Sequence, residues 1–593
     1  MLKKFLLNVL SSFMGAWIAI VLSGVCLVLV VMGVIGIVMG KNMSINKDSV
    51  LKISLSGDIV ERDDPGQLDL MSIISNGSLN YQTVETLVTA IKEAKTNDKI
   101  KAIYLDCGAL SAAPASVDAI RDALIDYKKS GKKIYAYGDH YSQSAYFIAT
   151  SANELYLNPV GSVDLHGLGG QSFFYKDLFD KIGLQFQVVR VGEGKSAVEP
   201  YTQNSMSDYA RNQTMQVIDT IWSGLRGEIA QSRGLSSAAL DSLISNQLPA
   251  IREGNFALNQ KLVDGLMYRH EFEKRIATAV GQEDGLEDIV APSFLANLSD
   301  MQSFNNSDNQ IAVVYACGEI DSGLDSGINS EELVKEIIRL GEDENVKGMV
   351  LRVNSPGGSA FGSEQIWEAV EWFKGRNKPV AVSMGDYAAS GGYYISCGAN
   401  RIYADRFTLT GSIGIFGLIP NIKGLLDKIG VNAETVATNP EAQLFTLTAP
   451  LNEHQLASLQ QMVDDGYNLF VKRCAEGRGI PVEKIKEIAD GRPIAATVAL
   501  RYKLIDQIGS LDDAIAWTAT KAGVGKDYSV MKYPEITFNF LTQFYRSENV
   551  KLPEFLRSFV EGQNLSTEMI GRIGAFLKAH PLRAESVNLK IQL

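Results

Sequence analysis

Cysteine and histidine are scarce in this sequence, which has only five residues of each among its 593 positions. The cysteines are scattered along the chain, at Cys26, Cys107, Cys317, Cys397 and Cys474. No two of them form a C-x-x-C pair, so neither a zinc site nor a disulfide framework is indicated. The histidines form no H-E-x-x-H motif. We therefore expect no metal and no cofactor.

Basic residues are outnumbered by acidic ones, 56 to 68, which gives a formal net charge of −12 at neutral pH. This balance argues against nucleic acid as the main partner. Hydrophobic residues make up 46% of the chain and charged residues 21%. The composition is therefore that of a globular protein with enough apolar residues for sizeable cores.

Charged residues are absent from Phe13–Met39, a run of 27 residues that follows Lys3 and Lys4. About 20 apolar residues span the hydrocarbon core of a bilayer, so this run is long enough for a transmembrane helix. A cleaved signal peptide is the alternative, but its apolar region would have only about 7–15 residues. We favour an uncleaved, single-pass anchor. The positive-inside rule then places the N-terminus in the cytoplasm and the bulk of the chain across the membrane.

One passage occurs twice, as GDHYSQSAYFIATSANELY at 138–156 and as GDYAASGGYYISCGANRIY at 385–403. The two copies are offset by 247 residues. At this offset Ser390, which precedes two glycines, stands opposite Gln143. A duplication with a serine in one copy and a glutamine in the other suggests two half-domains that have divided one task.

Further matches extend the repeat over most of the chain, and the offset drifts only from 247 to 242 residues. A period of this length indicates two homologous domains of ordinary size rather than a solenoid. We predict a cytoplasmic stub with the anchor at 1–45, a first half at 46–300, a second half at 301–532 and a tail at 533–593.

Each half alternates strand and helix patterns. In the second half, short apolar runs predict strands at Ile311–Ala316, Gly348–Val353 and Pro379–Ser383, and helical spacing predicts helices at Glu331–Leu340 and Ser363–Phe373. The first half repeats this alternation with strands at 102–105 and 133–137 and a helix at 116–127. Such alternation is typical of parallel βαβ units, so the predicted fold class is α/β.

A glycine pair follows the predicted strand at Gly348–Val353 and precedes a predicted helix, in the sequence Asn354-Ser-Pro-Gly-Gly-Ser359. Gly357 and Gly358 leave their backbone N–H groups free of side chains. Such N–H groups can form an oxyanion hole for a tetrahedral intermediate. An ordinary turn at the start of a helix is the alternative for this motif taken alone.

Ser390 lies at a predicted helix start among small residues, where it fits either a nucleophile or an ordinary N-cap. A nucleophilic serine needs a base, and no histidine is suitably placed in the sequence. Lysine is the other common base, provided that burial lowers its pKa. Lys195 lies among small residues after a predicted strand, and its repeat counterpart is Ala442. The half without the serine thus keeps a lysine, which favours Lys195 over the many surface lysines.

Four motifs together resemble the signal peptide peptidase A family in its long, duplicated form, a group of membrane-anchored Ser/Lys proteases of bacteria. They are G-K-S-A-x-E-P at 194–200, N-S-P-G-G-S at 354–359, G-D-Y-A-A-S-G-G-Y-Y at 385–394 and T-G-S-I-G-I-F-G at 410–417. The resemblance implies that Ser390 is the nucleophile and Lys195 the general base. It also implies that Ser412 orients the lysine amine and that Gly357 and Gly358 supply the oxyanion hole.

The resemblance further implies a pair of tandem Clp protease/crotonase-like domains after the transmembrane helix, assembled as a bowl-shaped homotetramer. The expected substrates are signal-peptide fragments and other apolar peptides. The expected location is the bacterial inner membrane, with the catalytic domain on the extracytoplasmic side. A crotonase-like acyl-CoA enzyme and a non-catalytic membrane scaffold are the alternatives. Of the two possible dyad geometries, within one chain or between neighbouring chains, we favour the first.

Overall fold

The computed structural model describes residues 45–62, 81–247, 251–283, 285–303, 307–323, 327–444 and 446–535. The predicted anchor at Phe13–Met39 lies outside these ranges, as does the predicted tail beyond residue 535. No helix in the described part of the chain is long and apolar enough to cross a membrane.

The first half is built around a mostly parallel sheet. Within the described residues this sheet has the strand order β2-β1-β3-β4-β5-β7, with β8 paired to β5 and β9 paired to β1. The strands of this half, including β6 outside the sheet, are β1 (Ser49–Val60), β2 (Tyr81–Thr83), β3 (Ile100–Ser111), β4 (Lys133–Tyr141), β5 (Glu154–Asp164), β6 (Gln185–Arg190), β7 (Ile251–Glu253), β8 (Gly265–Leu266) and β9 (Ile289–Val290). Among the described pairs of this sheet, only β5–β7 is antiparallel.

The second half repeats this architecture. In the described residues its sheet has the order β16-β14-β12-β11-β10-β18, and β13 pairs with both β12 and β17. The strands of this half, including β15 outside the sheet, are β10 (Gln310–Cys317), β11 (Val346–Ser355), β12 (Val380–Ala389), β13 (Arg401–Ala404), β14 (Leu409–Gly411), β15 (Phe416–Asn421), β16 (Pro493–Ala495), β17 (Gln507–Ile508) and β18 (Ser529–Tyr533).

Helices connect the strands and cover the sheets. They are α1 (Val84–Thr96), α2 (Pro114–Lys128), α3 (Gln143–Ala149), α4 (Lys176–Ile182), α5 (Glu199–Thr202), α6 (Asp208–Arg233), α7 (Ser237–Ser242), α8 (Gly254–Asn259), α9 (Arg269–Val280), α10 (Pro292–Ser303), α11 (Ser330–Glu342), α12 (Ala360–Gly375), α13 (Gly391–Tyr394), α14 (Lys423–Ile429), α15 (Glu453–Arg478), α16 (Val482–Lys486), α17 (Ala496–Arg501) and α18 (Leu511–Lys521). Short 3₁₀ helices lie at Ser196–Val198 and Pro440–Gln443, and a π-helical turn lies at Leu243–Gln247.

Alternate residues of the central strands enter separate cores on the two faces of each sheet. In β3, Ile103 and Leu105 join the large core of the first half, whereas Tyr104 joins the smaller core on the opposite face. In β11, Leu351 joins the large core of the second half, whereas Val350 joins a smaller separate core. Because both faces are covered, these strands have the continuous apolar character of buried parallel strands. The predicted α/β fold class is confirmed.

The predicted elements are present, with longer bounds than the apolar runs alone indicated. The helix predicted at Ser363–Phe373 is α12, which begins at Ala360. The side chain of Ser359 accepts a hydrogen bond from the Gly362 N–H at 3.0 Å and so starts the helix earlier. The strand predicted at Pro379–Ser383 is β12, which begins at Val380 and continues to Ala389.

The repeat is also visible in long-range hydrogen bonds. The Tyr146 hydroxyl donates to the Leu262 carbonyl oxygen at 2.7 Å, and its counterpart Tyr393 donates to the Leu504 carbonyl oxygen at 2.9 Å. Both of these bonds are buried. The two halves therefore share a core design as well as a strand order, as their sequence similarity predicts.

A two-stranded antiparallel sheet joins the halves. The strand β6 from the first half pairs with β15 from the second half, with Arg190 opposite Phe416 and Gln185 opposite Asn421. This pairing directs the chain that follows β6 toward the second half. It therefore positions the loop that contains Lys195.

A buried ion-pair network joins the two halves. Arg352 of β11 is 4% exposed and contacts Glu61 of the first half, Nε to Oε1, at 2.8 Å. Its Nη2 also lies 3.1 Å from Asp405 Oδ2. Desolvation raises the pKa of Asp405 to about 7, although the Arg352 guanidinium acts in the opposite direction. The pair is buried, so loss of one partner would leave an uncompensated charge.

We predict that Arg352→Ala lowers the free energy of unfolding by roughly 3–5 kcal/mol, because Glu61 would remain buried without its partner. Chemical denaturation followed by circular dichroism measures this change. The control is Lys335→Ala, which removes an exposed ion pair with Glu331 and should leave the free energy of unfolding nearly unchanged. Equal effects of the two substitutions would contradict a structural role for the Arg352 network.

Candidate active site

Ser390 lies at the junction between β12 and α13 in a strained backbone conformation. Its φ of 54° and ψ of −118° are unusual for a residue with a side chain, and such geometry costs about 1–3 kcal/mol. The Ser390 N–H donates to the Gly411 carbonyl oxygen at 2.8 Å, which holds the turn in place. The side chain makes no capping hydrogen bond to α13, so the N-cap alternative is wrong.

Lys195 reaches the serine from the loop that follows β6. The Gly194 N–H donates to the Asp490 carbonyl oxygen at 2.8 Å. A Cβ atom on Gly194 would lie only 2.7 Å from the Arg492 nitrogen, so this close approach requires glycine. The loop is thereby pressed against the second half, and Lys195 is only 5% exposed.

The lysine amine contacts two serines. Lys195 Nζ lies 2.9 Å from Ser390 Oγ, 3.0 Å from Ser412 Oγ and 3.0 Å from the Ser412 carbonyl oxygen. The Ser412 hydroxyl donates to the Gly491 carbonyl oxygen at 2.9 Å, so its lone pairs remain available to the amine. These three acceptors match the three N–H donors of the protonated amine, and loss of one proton leaves a lone pair that can face Ser390 Oγ.

Burial lowers the pKa of Lys195 to about 7, far below the ordinary value for a lysine. Desolvation is the cause, because an ammonium ion loses its hydration in this apolar surrounding. A substantial fraction of the side chain is therefore neutral near pH 7. A neutral amine in contact with a serine hydroxyl can accept its proton.

Three glycines lie beside the serine. Gly357 and Gly358 adopt φ values of 112° and 145°, and a Cβ atom on Gly357 would lie 2.8 Å from Ser390 Cβ. The Gly357 N–H already donates to Ser355 Oγ at 3.2 Å. The N–H groups of Gly358 and Gly391 donate to no acceptor within the described residues. These two amides are close together, since a Cβ atom on Gly391 would lie 3.2 Å from the Gly358 nitrogen.

A cavity of about 360 Å³ opens beside these groups, between the two halves. Its walls are largely apolar and come from α6 and from residues near β14 and β15. Apolar residues on these walls are Met206, Ala210, Val217, Leu409, Phe416 and Leu418. The segment before α4 adds Ser172 and Phe174. Polar residues also line the cavity, namely Glu199, Gln213, Thr214 and Glu319. The apolar stretch of the wall offers space for an extended apolar side chain.

Gln143, which corresponds to Ser390 in the first half, is held by hydrogen bonds within its own half. The Gln143 side chain donates to the Gly167 carbonyl oxygen at 2.9 Å and accepts from the Gly167 and His166 N–H groups at 2.8 and 3.0 Å. Gln143 is buried, and its side-chain amide stabilises the turn at His166 and Gly167. The repeat therefore has one serine-containing site and one structural counterpart in each chain.

The structure brings the site residues predicted from the sequence motifs together in space. Lys195, Ser390, Ser412, Gly357 and Gly358 all line the same cavity within one chain. Two further glycines lie beside these residues and were not among the predictions. Gly391 follows the serine inside the recognised motif, so its backbone N–H could have been included. Gly491, whose carbonyl oxygen holds Ser412, stands in no motif that sequence reasoning singled out.

A comparison with family models matches the description "Peptidase family S49" at residues 126–283 and 373–525, one segment in each half. "Protease 4" of Haemophilus influenzae is 32% identical over 535 residues, which cover 87% of this chain and 85% of that protein. "Protease 4" of Salmonella typhi is 33% identical over 500 residues, which cover 82% of this chain and 80% of that protein.

Shorter relatives match about one half. "Putative signal peptide peptidase SppA" of Enterococcus faecium is 33% identical over 232 residues, which cover 39% of this chain and 67% of that protein. Among solved structures, ClpP1 from Listeria monocytogenes is 18% identical with a TM-score of 0.22. That match covers 34% of this chain and 92% of the other.

The lowered pKa of Lys195 predicts a pH-dependent contribution to stability. Between pH 7 and 10.5 the unfolded chain binds one more proton at residue 195 than the folded protein does. Raising the pH through this window should therefore stabilise the native protein relative to a Lys195→Met variant, by up to about 1.4 kcal/mol per pH unit. Denaturation curves of both proteins at pH 7 and pH 9 measure the difference. Parallel changes in the two proteins would mean that Lys195 has an ordinary pKa.

Proposed function

The chain belongs to peptidase family S49 and is a serine protease, and we propose on this basis that Ser390 is its nucleophile and Lys195 its general base. The observation that carries the proposal is the 2.9 Å contact between Ser390 Oγ and Lys195 Nζ. A buried lysine with a pKa of about 7 is suited to remove a serine proton at neutral pH. Ser412 orients the amine through two further contacts.

The reaction proceeds as acyl transfer to the serine. Neutral Lys195 accepts the proton from Ser390 Oγ as that oxygen attacks the carbonyl carbon of the peptide bond. The resulting lysinium ion then gives its proton to the leaving amine, and the C–N bond breaks. Water repeats the sequence on the acyl-enzyme and releases the second product. Lys195 therefore acts alternately as base and acid.

The oxyanion of each tetrahedral intermediate accepts hydrogen bonds from the Gly358 and Gly391 amides in this proposal. Both N–H groups lack a recorded acceptor among the described residues and lie beside Ser390. The Gly357 N–H is engaged by Ser355, so Gly357 shapes the turn instead of donating to the substrate. The sequence analysis expected Gly357 and Gly358 as the oxyanion donors. The proposal keeps Gly358 and replaces Gly357 with Gly391.

The proposed substrates are signal-peptide fragments and other apolar peptides. The apolar walls of the cavity support this choice, as does the name of the Enterococcus faecium relative. A charged side chain would lose its hydration in this cavity, whereas an apolar one would gain free energy on burial.

We further propose that Phe13–Met39 anchors the protein in the bacterial inner membrane with a single span. The catalytic domain would lie on the extracytoplasmic side. The support is the length of the uncharged run and the lysines that precede it. Anchoring would hold the active site near the peptides that signal cleavage leaves in the bilayer.

The proposed assembly is a homotetramer. Its support is a set of exposed apolar side chains on and beside two helices, one in each half. In the first half they are Phe173, Tyr175, Leu178 and Ile182, and in the second half they are Ile429, Val431 and Val436. Contiguous exposed apolar groups of this kind are typical of protein–protein interfaces.

Peptide cleavage should disappear in Ser390→Ala, falling by at least about 10³-fold, while the circular dichroism spectrum and assembly stay unchanged. The wild-type kcat/KM should rise between pH 6 and 8 with a midpoint near 7, as Lys195 loses its proton. Initial rates on an apolar fluorogenic peptide measure both. Ser458→Ala, on the exposed face of α15, serves as the control and should keep full activity. Near wild-type cleavage by Ser390→Ala would remove this serine from the mechanism.

The full-length protein should sediment with membranes, whereas a chain that begins at Asn46 should remain in the supernatant and cleave small peptides. Detergent should release the full-length form, because its attachment is hydrophobic. N-terminal sequencing of the membrane form distinguishes an anchor from a processed leader. A mature N-terminus near residue 40 would contradict the anchor.

A further inference from the structure

The pairing between β6 and β15 has no counterpart in the other direction within the described part of one chain. Shifting β6 forward by the repeat offset of 247 residues gives positions 432–437, and shifting β15 back gives 169–174. The helices α4 and α14 fix this alignment, because they begin at Lys176 and Lys423, which also differ by 247. Neither 169–174 nor 432–437 forms a strand.

Both segments are largely exposed to solvent. Residues 427–439 are exposed without interruption, and Val436 is fully exposed, whereas its counterpart Val189 in β6 is 3% exposed. Phe173 in the other segment is 61% exposed. No backbone hydrogen bond of either segment to the rest of the described chain is recorded. Exposed segments with free backbone groups are templates for pairing with another strand.

The residues that make the β6–β15 contact possible occur again in the unpaired segments. Val189 lies opposite Gly417, and a Cβ atom on this glycine would be 2.9 Å from Val189 Cγ2. A bulkier residue at 417 would therefore push the strands apart. The repeat has the same two residue types at the same places, Val436 and Gly170.

The helices beside the strands differ between the two contacts. Gly183 at the end of α4 packs against the backbone of Gly424 at the start of α14. The counterpart of Gly183 is Gly430, which has no neighbour within 4 Å of a Cβ position among the described residues, but the counterpart of Gly424 is Asp177. The helix contact is therefore not repeated residue for residue, and the comparison is carried by the strand segments.

We propose that residues 432–437 of one copy pair antiparallel with residues 169–174 of a second copy of this chain, with Val436 opposite Gly170, and that this pairing completes the substrate cavity. The register is that of the β6–β15 pair moved by the repeat offset. The inference rests on the proposed function, because the cavity it completes is the one beside Ser390.

The connection to the cavity comes from alternate residues of the first segment. Ser172 and Phe174 line the cavity, whereas Gln171 and Phe173 beside them are exposed. On the opposite side, Phe416 and Leu418 line the cavity from β15, which β6 already holds. One wall is therefore supported within the chain, and the other depends on the strand of a neighbour.

This contact is heterologous, since each copy gives one segment and receives a different one. Such contacts close into a ring when the rotation between copies permits it. The loop after 432–437 contains Ala442 where the loop after β6 contains Lys195. A neighbour therefore supplies no second lysine, and each chain retains one Ser390–Lys195 pair of its own. Assembly supports the cavity wall without adding a catalytic group.

The pairing is tested by cross-linking Gln171→Cys with Thr435→Cys, two residues that the register places opposite each other. Under mild oxidation the double variant should give disulfide-linked dimers, trimers and tetramers on a denaturing gel. Each single variant is a control for the natural cysteines, of which Cys107, Cys397 and Cys474 are buried. A second control moves the new cysteine from 435 to the exposed position 447. Absence of a ladder, or equal ladders for positions 435 and 447, would overturn the pairing.

The effect on activity is tested with Val436→Glu, which places a charge in the strand interface, and with Val160→Glu as the matched control. Val160 is also highly exposed but lies outside both segments. Light scattering should give a lower mass for Val436→Glu only, and its kcat/KM on apolar peptides should fall at least tenfold. A dissociated Val436→Glu protein with wild-type kcat/KM would overturn the completion of the cavity by the neighbour.

Acylation of Ser390 by a small serine-reactive fluorophosphonate separates this inference from the proposed function. The reagent does not require the full cavity, so both glutamate variants should still be labelled at Ser390. Failure of the wild-type protein to be labelled there or to cleave peptides would count against the proposed function itself. Wild-type labelling and cleavage, with assembly unaffected by Val436→Glu, would count against the strand pairing alone.

Discussion

The amine of Lys195 lies in the interior of the protein, within hydrogen-bond distance of Ser390 and Ser412, and without a carboxylate among these contacts. A charged ammonium is costly in such a place, and burial therefore lowers its pKa to about 7. Three features together maintain this contact. They are the close approach of the Gly194 loop to the second half, the pairing of β6 with β15 and the strained backbone of Ser390. A more exposed lysine would stay protonated and could not accept a proton at neutral pH.

The two halves contribute unequal parts to one site. The first half supplies Lys195 after β6, and the second half supplies Ser390, Ser412 and the glycine amides. The buried contact of Arg352 with Glu61 also joins the two halves. An acyl-CoA enzyme would use a backbone oxyanion hole in a similar way, but it would have no need for the lysine. Family membership and the paired side chains together favour proteolysis.

Comparison of the repeat with itself selected Ser390 and Lys195, through the complementary loss of serine at Gln143 and of lysine at Ala442. The structure brings these two side chains to within 2.9 Å of each other, beside the turn that the glycine-rich motif forms. The φ of 54° at Ser390 was not predictable, because it results from packing against Gly357 and a hydrogen bond to Gly411.

Contacts between residues far apart in the chain could not be predicted from the sequence either. Glu61 and Arg352 are 291 residues apart, and no local pattern marks either as the partner of the other. The Gly491 carbonyl oxygen that fixes Ser412 was missed for the same reason. The hydrogen bond from the Gly357 N–H to Ser355 Oγ could not be predicted either, and it is the reason that the proposed oxyanion donors differ from those expected from the sequence. Periodicity and motifs therefore give the elements and the reactive groups, whereas the contacts that adjust their chemistry emerge on folding.

The most direct test of the central claim is the titration of the Lys195 amine itself. Nuclear magnetic resonance of protein labelled at the lysine Cε and Nζ positions, with Lys195→Met to assign the signal, reports the protonation of this one side chain. A midpoint near pH 7 is the predicted result. A midpoint above about pH 10, in the range of ordinary lysines, would contradict the account, because Lys195 would then be charged at the pH where the proposed mechanism requires a neutral base.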